Sequence, residues 1–466
     1  MSGEWSYRTT RHSRPFWCER AWVAGGIAER VTVTCDDAGV ITSVTTHSEP
    51  PAGADRLPGV VFPGFANGHS HAFHRALRGR THADGGTFWT WRDGMYRLAG
   101  RLDPDSYRRL ARLVYAEMVL AGFTAVGEFH YLHHPAGGGR YAEPNAMGNA
   151  LVEAARDAGI RITLLDTCYL AGGLDETGYR PLAGEQARFG DGTAAGWLDR
   201  LAGLRDTPGA RVGAALHSVR AVPADALPEV ASALRAGGSA AGGGSGAVRP
   251  LHVHLSEQPA ENEACQAWHG CSPTELLAGA GLLGPNTTAV HATHLSEKDI
   301  GLLGSAGVTA CFCPTTEADL ADGIGPAREL ADAGCPVSLG SDQHAVIDPL
   351  LEARALEHGE RLRTGRRGRF SPAELVAAAT VAGHRSLGWP GAGEIAPGAP
   401  CDLVAVRTDT PRTAGSLPGQ LLLSASAPDV HTVVVGGRTV VDGGRHTTLD
   451  TVGPALAAEI EELWRT

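Results

Sequence analysis

Residues 63–80 read PGFANGHSHAFHRALRGR and place three histidines, His69, His71 and His74, within six positions. A Val-Val-Phe-Pro-Gly run leads into this stretch, so the histidines follow an apolar, strand-like segment. His69 and His71 form a His-x-His pair, and the period of two along an extended strand points both imidazoles to one face. Such crowding is typical either of metal ligands or of surface polar residues, and the rest of the chain favours one of these alternatives.

Three later apolar runs also end in histidine or in a carboxylate. They are LHVHLSE with His252, His254 and Glu257, AVHATH with His291 and His294, and VSLGSD with Asp342. At the carboxyl ends of barrel strands such side chains face an active-site mouth, whereas elsewhere each would need a buried partner. Several imidazoles with one carboxylate suit zinc or ferrous iron, with positions left open for water. Four such segments in order therefore favour a metal site over chance placement.

Strand-like apolar runs alternate with helical stretches through the middle of the chain. This alternation predicts parallel βα units. About eight strands, with no Gly-x-Gly-x-x-Gly turn after the first, favour a closed barrel over an open nucleotide-binding sheet. We therefore expect an α/β protein in which residues 63–396 form a catalytic (β/α)8 TIM barrel, with the metal site at the C-terminal ends of its strands.

The two ends of the chain share a β-rich texture. Residues 21–46 and 429–444 combine β-branched runs with Gly and Asp turn signals, including Gly-Gly between two Val-rich runs. We expect residues 1–62 and 397–466 to fold together as one small β-sandwich domain. The Gly-rich segment 235–250 is expected to be a flexible surface insertion without chemistry.

Composition argues against several classes of function. The formal net charge is −11 and the pI is about 6.0, so the chain has no basic footprint for nucleic acid. No apolar run reaches the roughly 18 residues that predict a membrane span. The nine cysteines form neither a C-x-x-C pair nor a disulfide framework. Together with the lack of an apolar leader, this pattern predicts a cytoplasmic protein.

Four segments resemble the signature segments of the amidohydrolase superfamily of metal-dependent hydrolases: PGFANGHSHAF, HVHLSE, AVHATH and LGSD. The resemblance covers nearly the whole chain, including the split β-rich flanks. The metal ligands that it implies are His69, His71, His254 and Asp342. The proton-transfer residues that it implies are Glu257, His291 and Asp342. His252 and His294 match no ligand position, and we interpret them as core or supporting imidazoles.

The position of lysine bears on the number of metal ions. Binuclear members of this superfamily bridge their metals with a carboxylated lysine, usually from the fourth strand. The only lysine of this chain is Lys298, beyond the sixth strand, and the fourth strand ends in LHSVR. We therefore expect one Zn²⁺, although the ligands also suit Fe²⁺. Mononuclear members with these residues are mostly deaminases of amidine-like carbon.

Further segments are similar to those of the formimidoylglutamate deiminases, a family within this superfamily. They keep the same order and close spacing: HSHAFHRAL, FWTWRDGMYRL, GEFHYLHH, LHSVRAV, CQAW and TEADLADGI. The resemblance implies hydrolysis of N-formimino-L-glutamate to N-formyl-L-glutamate and ammonia. The substrate contacts that it implies are His74, Arg92, Tyr131, His217 and Arg220. His74 departs from the family pattern, which has glutamine there.

The residue chemistry also favours a small dianionic substrate. Arginine binds carboxylates through paired hydrogen bonds, and Arg92 and Arg220 lie in segments expected at the pocket. The alternative is a nucleobase or other amidine-type deaminase, which needs a mostly neutral aromatic pocket and leaves both arginines unused. A non-catalytic scaffold fits less well, because the implied ligands and proton-transfer residues are all present. The resemblance further implies a homodimer.

Two other motifs offer metal ligands. GEFHYLHH contains Glu128, His130, His133 and His134, which we expect to line the mouth and hold Tyr131 in place instead of forming a second metal site. Cys311 and Cys313 also lie at a period of two. Buried free cysteine in a strand is far commoner than a thiolate site, and that is our expectation here.

Overall fold

The computed structural model describes residues 14–81, 88–237 and 249–465. Residues 1–13 of the expected flanking domain, and residues 238–248 of the Gly-rich segment, lie outside this range; residues 235–237 end a helix. The strands are β1 Phe16–Val23, β2 Gly26–Cys35, β3 Ile41–Thr45, β4 Asp55–Pro63, β5 Phe65–Ser70, β6 Phe123–His130, β7 Arg161–Cys168, β8 Gly173–Asp175, β9 Gly178–Arg180, β10 Ala210–Leu216, β11 Leu251–Leu255, β12 Thr287–His291, β13 Thr309–Phe312, β14 Val337–Leu339, β15 Leu403–Val406, β16 Val430–Val435, β17 Arg438–Asp442 and β18 Arg445–His446. The helices are α1 Phe88–Ala99, α2 Pro104–Leu120, α3 Ala146–Ala158, α4 Ala194–Gly203, α5 Leu227–Gly237, α6 Pro259–His269, α7 Pro273–Gly279, α8 Glu297–Ala306, α9 Pro314–Asp319, α10 Ala327–Asp332, α11 Pro349–Thr364, α12 Pro372–Ala377, α13 Gly383–Ser386 and α14 Val452–Trp464.

Eight parallel strands form the barrel, hydrogen-bonded in the order β5, β6, β7, β10, β11, β12, β13, β14. The barrel closes where the residues just after β14 meet the end of β5. The backbone N–H groups of Ser341 and Asp342 donate to the His69 carbonyl at 3.1 and 3.0 Å, and the N–H of His71 donates to the Asp342 carbonyl at 3.1 Å. The predicted (β/α)8 barrel is therefore confirmed, and its closing contacts join the His-x-His segment to Asp342.

Local sequence accounts for the elements of the barrel. Helix α2 begins after Asp103, whose carboxylate accepts from the N–H of Ser106 at 2.8 Å, and Pro104 fills the first helical position. Strand β6 is buried from end to end, as expected where helices cover one face and the barrel interior the other. This burial explains why its sequence, FTAVGEFH, reads as a nearly continuous apolar run.

A second eight-stranded sheet combines strands from both ends of the chain. Its order is β18, β17, β16, β15, β4, β1, β2, β3. Strand β15 lies antiparallel to β4, with Leu403 opposite Pro63, so the C-terminal strands continue the N-terminal ones. The predicted joining of the two flanks is confirmed. Arg161 of β7 pairs with the buried carboxylate of Asp402, donating from Nη2 to Oδ1 at 2.9 Å, and so ties this sheet to the barrel.

Gly64 marks the point where the chain leaves the flanking sheet and enters the barrel. A β-carbon at this position would lie 2.2 Å from Oγ1 of Thr124 and 2.8 Å from Cβ of Asp402. Only glycine therefore allows β4 and β5 to follow one another so closely. This tight step places His69 at the end of the first barrel strand.

The remaining expectations concern cysteines and membrane spans. All nine cysteines are free thiols, and Cys311 and Cys313 are buried, as predicted. Within the described ranges, no helix combines the length and the apolarity that a bilayer crossing requires.

Candidate active site

The four predicted metal ligands converge at the C-terminal end of the barrel. Nε2 of His254 lies 3.1 Å from Nε2 of His69. Oδ1 of Asp342 lies 3.3 Å from Nε2 of His69 and 3.4 Å from Nε2 of His71. Each of these residues is at most 5% exposed. The structure therefore brings together side chains from the end of β5 and the residue after it, from β11 and from the segment after β14, as the strand-end pattern predicts.

The donor chemistry of this set fits a divalent metal ion. Nδ1 of His71 lies 2.9 Å from the carbonyl oxygen of Phe129, and a carbonyl only accepts, so Nδ1 carries the proton. Nε2 of His71 then presents its lone pair to the carboxylate of Asp342, a repulsive contact that a bound cation relieves. Burial also lowers the pKa of His71 to about 3, which keeps the imidazole neutral, as coordination requires.

The backbone around the centre is strained. Five residues other than glycine have positive φ at the ends of β11, β12 and β14: Ser256 (51°), His291 (69°), Ala292 (50°), Asp342 (40°) and His344 (62°). Such conformations are uncommon outside glycine and persist only where the surroundings impose them. They cluster at functional sites, and here they coincide with the predicted one.

Glu257 and His291 lie beside the ligands. Nε2 of His291 is 3.9 Å from both Oε1 of Glu257 and Oδ2 of Asp342. Its other nitrogen, Nδ1, is 3.4 Å from Oε1 of Glu317, which also accepts from the N–H of Cys313. Burial lowers the pKa of His291, but the three carboxylates outweigh burial and raise it well above the ordinary value. The ring is therefore suited to holding a proton.

A cavity opens over the centre and collects the predicted substrate contacts, His74, Arg92, Tyr131, His217 and Arg220. All predicted site residues line it except His69, which is fully buried behind the other ligands. Nε2 of His74 lies 3.0 Å from the Tyr131 hydroxyl. The His217 ring packs against Tyr169 with centroids 4.4 Å apart, and burial lowers its pKa well below the usual value. The cavity therefore combines neutral imidazoles with two guanidinium groups.

Helix α1 supplies part of the cavity wall, and of its lining residues the sequence analysis predicted only Arg92. Trp91, Arg92, Met95 and Tyr96 all line the cavity. Their spacing of three and four residues places them on one helical face, and this period was the available signal. The Arg92 guanidinium lies over the Tyr96 ring, 5.7 Å from its centroid, so the wall is both aromatic and cationic.

Arg220 faces two carboxylates. Its Nη2 lies 3.7 Å from Oε2 of Glu257, and its Nε lies 3.5 Å from Oε2 of Glu261. Glu261, in the first turn of α6, is 1% exposed, and burial raises its pKa to about 6 although Arg220 opposes the shift. Sequence analysis did not single out Glu261, because its partner comes from another strand. The guanidinium is thus held at the cavity wall from two sides.

The GEFHYLHH stretch does not assemble the second ligand set that its sequence offers. Its four candidate ligand side chains do not share one site. Glu128 contacts Ser70 and Ala72, His134 contacts Asp191, and His130 and His133 lie with Asp166 in a buried group whose ligand atoms are within 4.8 Å of one another. Asp166 is already paired with Arg200, whose Nη1 lies 2.6 Å from Oδ2. All four side chains are buried and none lines the cavity, so the expectation that they line the mouth is wrong. Tyr131, between them, does reach the cavity.

The other singled-out residues lie outside the centre. Nε2 of His252 is 3.0 Å from the Ser386 carbonyl, and Nε2 of His294 is 2.8 Å from the Asp322 carbonyl, as suits core and supporting imidazoles. Lys298 lies on the surface with 71% of its side chain exposed and pairs with Glu275. The only lysine of the chain therefore takes no part in the site.

Comparison with known proteins places this centre in a family. Residues 60–440 match the sequence model of the amidohydrolase family. The chain belongs to the amidohydrolase family. Among its relatives is a formimidoylglutamate deiminase of Pseudomonas aeruginosa, 35% identical over 462 residues that cover 96% of this chain and 98% of the relative.

Other amidohydrolase relatives carry different names. An 8-oxoguanine deaminase of Pseudomonas aeruginosa is 32% identical over 82% of this chain and 83% of its own. The crystal structure of an amidohydrolase from Brucella melitensis superposes with a TM-score of 0.87, at 32% identity, over 97% of this chain and 100% of that one. Fold and family are therefore shared by relatives whose names differ in substrate.

Proposed function

We propose that this amidohydrolase hydrolyses N-formimino-L-glutamate to N-formyl-L-glutamate and ammonia. The observation that carries the proposal is the presence of Arg92 and Arg220 in the cavity that opens over the predicted metal ligands. Guanidinium groups bind carboxylates through paired hydrogen bonds, so the cavity suits a small substrate with carboxylates at one end and an amidine at the other. The 35% identity to a formimidoylglutamate deiminase supports the same substrate.

The proposed cofactor is one Zn²⁺ held by His69, His71, His254 and Asp342. Three imidazole nitrogens and one carboxylate oxygen match the donors that zinc prefers, and the same donors suit Fe²⁺. A metal ion bound there supplies Lewis acidity and lowers the pKa of a bound water towards neutrality. The surface position of Lys298 supports one ion per chain, because no lysine is left to bridge a second.

The protein's own groups divide the proton transfers. Asp342 or His291 accepts a proton as the water oxygen bonds to the formimino carbon. Glu257 protonates the terminal nitrogen, the bond between carbon and that nitrogen breaks, and ammonia leaves. The hydroxyl group on the carbon gives its proton back to Glu257 as it becomes the formyl carbonyl. Glu257 lines the cavity and lies 3.9 Å from His291 and 3.7 Å from Arg220, so a substrate nitrogen in the cavity can reach it. A substrate held by Arg220 would present its reactive end beside Glu257.

The cavity walls orient the glutamate part of the substrate. Arg92 and Arg220 supply positive charge, while Tyr131 and the neutral imidazoles of His74 and His217 supply hydrogen bonds to carboxylate oxygens. Imidazole donates one hydrogen bond, so His74 serves where other members have glutamine. Fixing both carboxylates holds the formimino carbon near the catalytic groups and reduces the entropy lost in the transition state.

A nucleobase deaminase is the second candidate, favoured by the aromatic wall and by the 8-oxoguanine deaminase relative. Ammonia release by zinc-loaded protein, given N-formimino-L-glutamate, guanine, 8-oxoguanine, adenosine and cytosine, separates the two. We expect turnover of N-formimino-L-glutamate alone. Turnover of a base without turnover of that compound would refute the proposal and leave the arginines unused. The homodimer implied by the resemblance stays a prediction, which the protein's mass in solution checks.

A further inference from the structure

A continuous chain of hydrogen bonds lies beneath the proposed metal ligands. It joins side chains that are all 0% exposed: Asn67, Ser70, Glu128, Ser341 and His344. Asn67 and Ser70 belong to β5, Glu128 belongs to β6, and Ser341 and His344 follow β14. These are the segments that carry or adjoin His69, His71 and Asp342. This chain of hydrogen bonds therefore connects both sides of the metal centre, and none of the proposed metal ligands is part of it.

Each link of this chain has one donor and one acceptor. Nδ2 of Asn67 donates to Oγ of Ser341 at 2.7 Å, so the Ser341 hydroxyl is free to donate to Nδ1 of His344 at 2.9 Å. Nε2 of His344 then donates to Oγ of Ser70 at 3.2 Å, and Ser70 donates to Oε2 of Glu128 at 2.7 Å. This succession of donors and acceptors ends at the carboxylate of Glu128, which only accepts hydrogen bonds.

Glu128 fixes the backbone on both sides of His71. One carboxylate oxygen accepts from the hydroxyl of Ser70, and the other accepts from the N–H of Ala72 at 2.7 Å. The next residue of β6, Phe129, accepts from the His71 ring through its carbonyl. Two successive residues of β6 therefore hold the position and the ring orientation of one proposed ligand.

The other end of this chain of hydrogen bonds lies on both sides of Asp342. Ser341 precedes this residue and His344 follows it by two positions, and the N–H of Ser341 donates to Oδ1 of Asn67 at 3.0 Å. Asp342 and His344 both have positive φ, a conformation that needs such restraint. The same hydrogen bonds thus hold a strained carboxylate ligand at a fixed distance from the His-x-His pair.

We propose that Glu128 is a positioning residue for the metal centre: through this chain it sets the spacing between the His69–His71 segment and Asp342, and thereby the affinity for zinc. The inference rests on the metal centre of the proposed function. Groups that orient metal ligands typically change affinity by about 10- to 100-fold when they are removed. A purely structural carboxylate would lower stability without this selective effect on zinc.

Zinc affinity of the full chain, measured by competition with a chromophoric chelator, tests the proposal. We expect Glu128→Ala to weaken zinc binding by about 10- to 100-fold. Glu128→Gln should stay within about threefold of the unmodified protein, because its amide oxygen still accepts from Ala72. The matched control is Glu357→Ala. Glu357 is also 0% exposed and accepts from backbone N–H groups, at Gly368 and Phe370, but its partners lie outside the chain of hydrogen bonds that joins Asn67 to Glu128.

The outcomes separate this inference from the metal centre itself. If the unmodified protein binds zinc and Glu128→Ala weakens binding no more than Glu357→Ala does, the positioning role is refuted. If the unmodified protein binds no zinc, the proposed centre fails and the inference fails with it. Should Glu128→Ala not fold, Ser70→Ala removes the link between Glu128 and His344 and should weaken zinc binding several-fold. Unchanged affinity in Ser70→Ala would then overturn the proposal.

Discussion

Replacing Arg220 by methionine tests the proposed substrate most directly. Methionine keeps an unbranched apolar stem of similar length and removes every donor. Arg220 lies at the cavity wall with 29% of its side chain exposed, within 3.7 Å of the proposed acid Glu257. If a substrate carboxylate binds here, the variant loses a charge-assisted contact. Because Arg220 also lies 3.7 Å from Glu257, the loss should appear in kcat/KM as a whole.

The size of the effect follows from the contact that is lost. A hydrogen bond to a charged group contributes about 1.5 to 3 kcal/mol. Arginine can form two such bonds to one carboxylate, but Arg220 is partly exposed to solvent, so we do not count the full energy of both bonds. A loss of about 3 kcal/mol corresponds to a fall in kcat/KM of about 150-fold. The assay is the initial rate of ammonia release over a range of N-formimino-L-glutamate concentrations.

Arg211 provides a matched control. Its side chain is 35% exposed and its guanidinium stacks on Trp389 at 4.5 Å, but it does not line the cavity. Arg211→Met should leave kcat/KM unchanged within about twofold, since surface changes away from the site have small effects. A value for Arg220→Met within threefold of the unmodified protein would refute the carboxylate contact.

The same variant has a second consequence, because Arg220 faces the buried carboxylate of Glu261. Removing one partner of a fully buried ion pair costs about 3 to 5 kcal/mol, and the partial exposure of Arg220 reduces this to about 1 to 3 kcal/mol. Adding Glu261→Gln removes the unpaired charge and should restore most of the lost stability. Urea unfolding of the single and double variants measures this, and an unrestored double variant would contradict the pairing.

Three further predictions concern catalysis and stability. Glu257→Gln should retain near-normal zinc content by metal analysis while turnover falls by at least about 100-fold, because the acid is lost; full turnover would remove Glu257 from the mechanism. Asp402→Asn should lower the free energy of unfolding at pH 7 by about 3 kcal/mol, since Arg161 loses its buried partner. Burial raises the pKa of Asp402 but Arg161 lowers it below the usual value, so urea unfolding should show this difference shrinking as the pH falls below about 4. Burial lowers the pKa of His384 to about 4. The contribution of His384 to the free energy of unfolding is therefore complete above about pH 6.5, and up to about 3 kcal/mol of it is lost as the pH falls towards 4. His384→Gln should flatten that part of the stability profile, and an unchanged slope would contradict it.

The barrel and the ligand set are predictable because one geometric rule governs them. Parallel strands of a closed barrel end at one rim, so polar residues at the ends of separate strands must lie near one another. His69, His254 and Asp342 are far apart in the chain, yet each ends an apolar run. Their convergence therefore follows from strand order alone, without knowledge of the packing.

Partners that depend on helix and loop placement are not predictable in this way. Glu317 contacts His291 from α9, and Glu261 contacts Arg220 from α6, and neither pair shares a sequence period or a short spacing. The same limit explains the wrong expectation for Glu128. An acidic residue at a strand end is compatible with an open mouth or with a buried hydrogen-bond partner. The position of the β5 backbone beside it decides between the two.

The division of the flanking sheet between the two ends of the chain has a consequence during synthesis. Strand β4 pairs with β1 soon after both emerge from the ribosome, but its other edge waits for β15. The roughly 340 residues from Pro63 to Leu403 take roughly 20 to 70 seconds to translate at 5 to 20 residues per second. An open edge containing Val60, Val61 and Phe62 can pair with another nascent chain throughout that interval. We therefore expect the yield of folded protein to depend on how quickly the ribosome reaches β15.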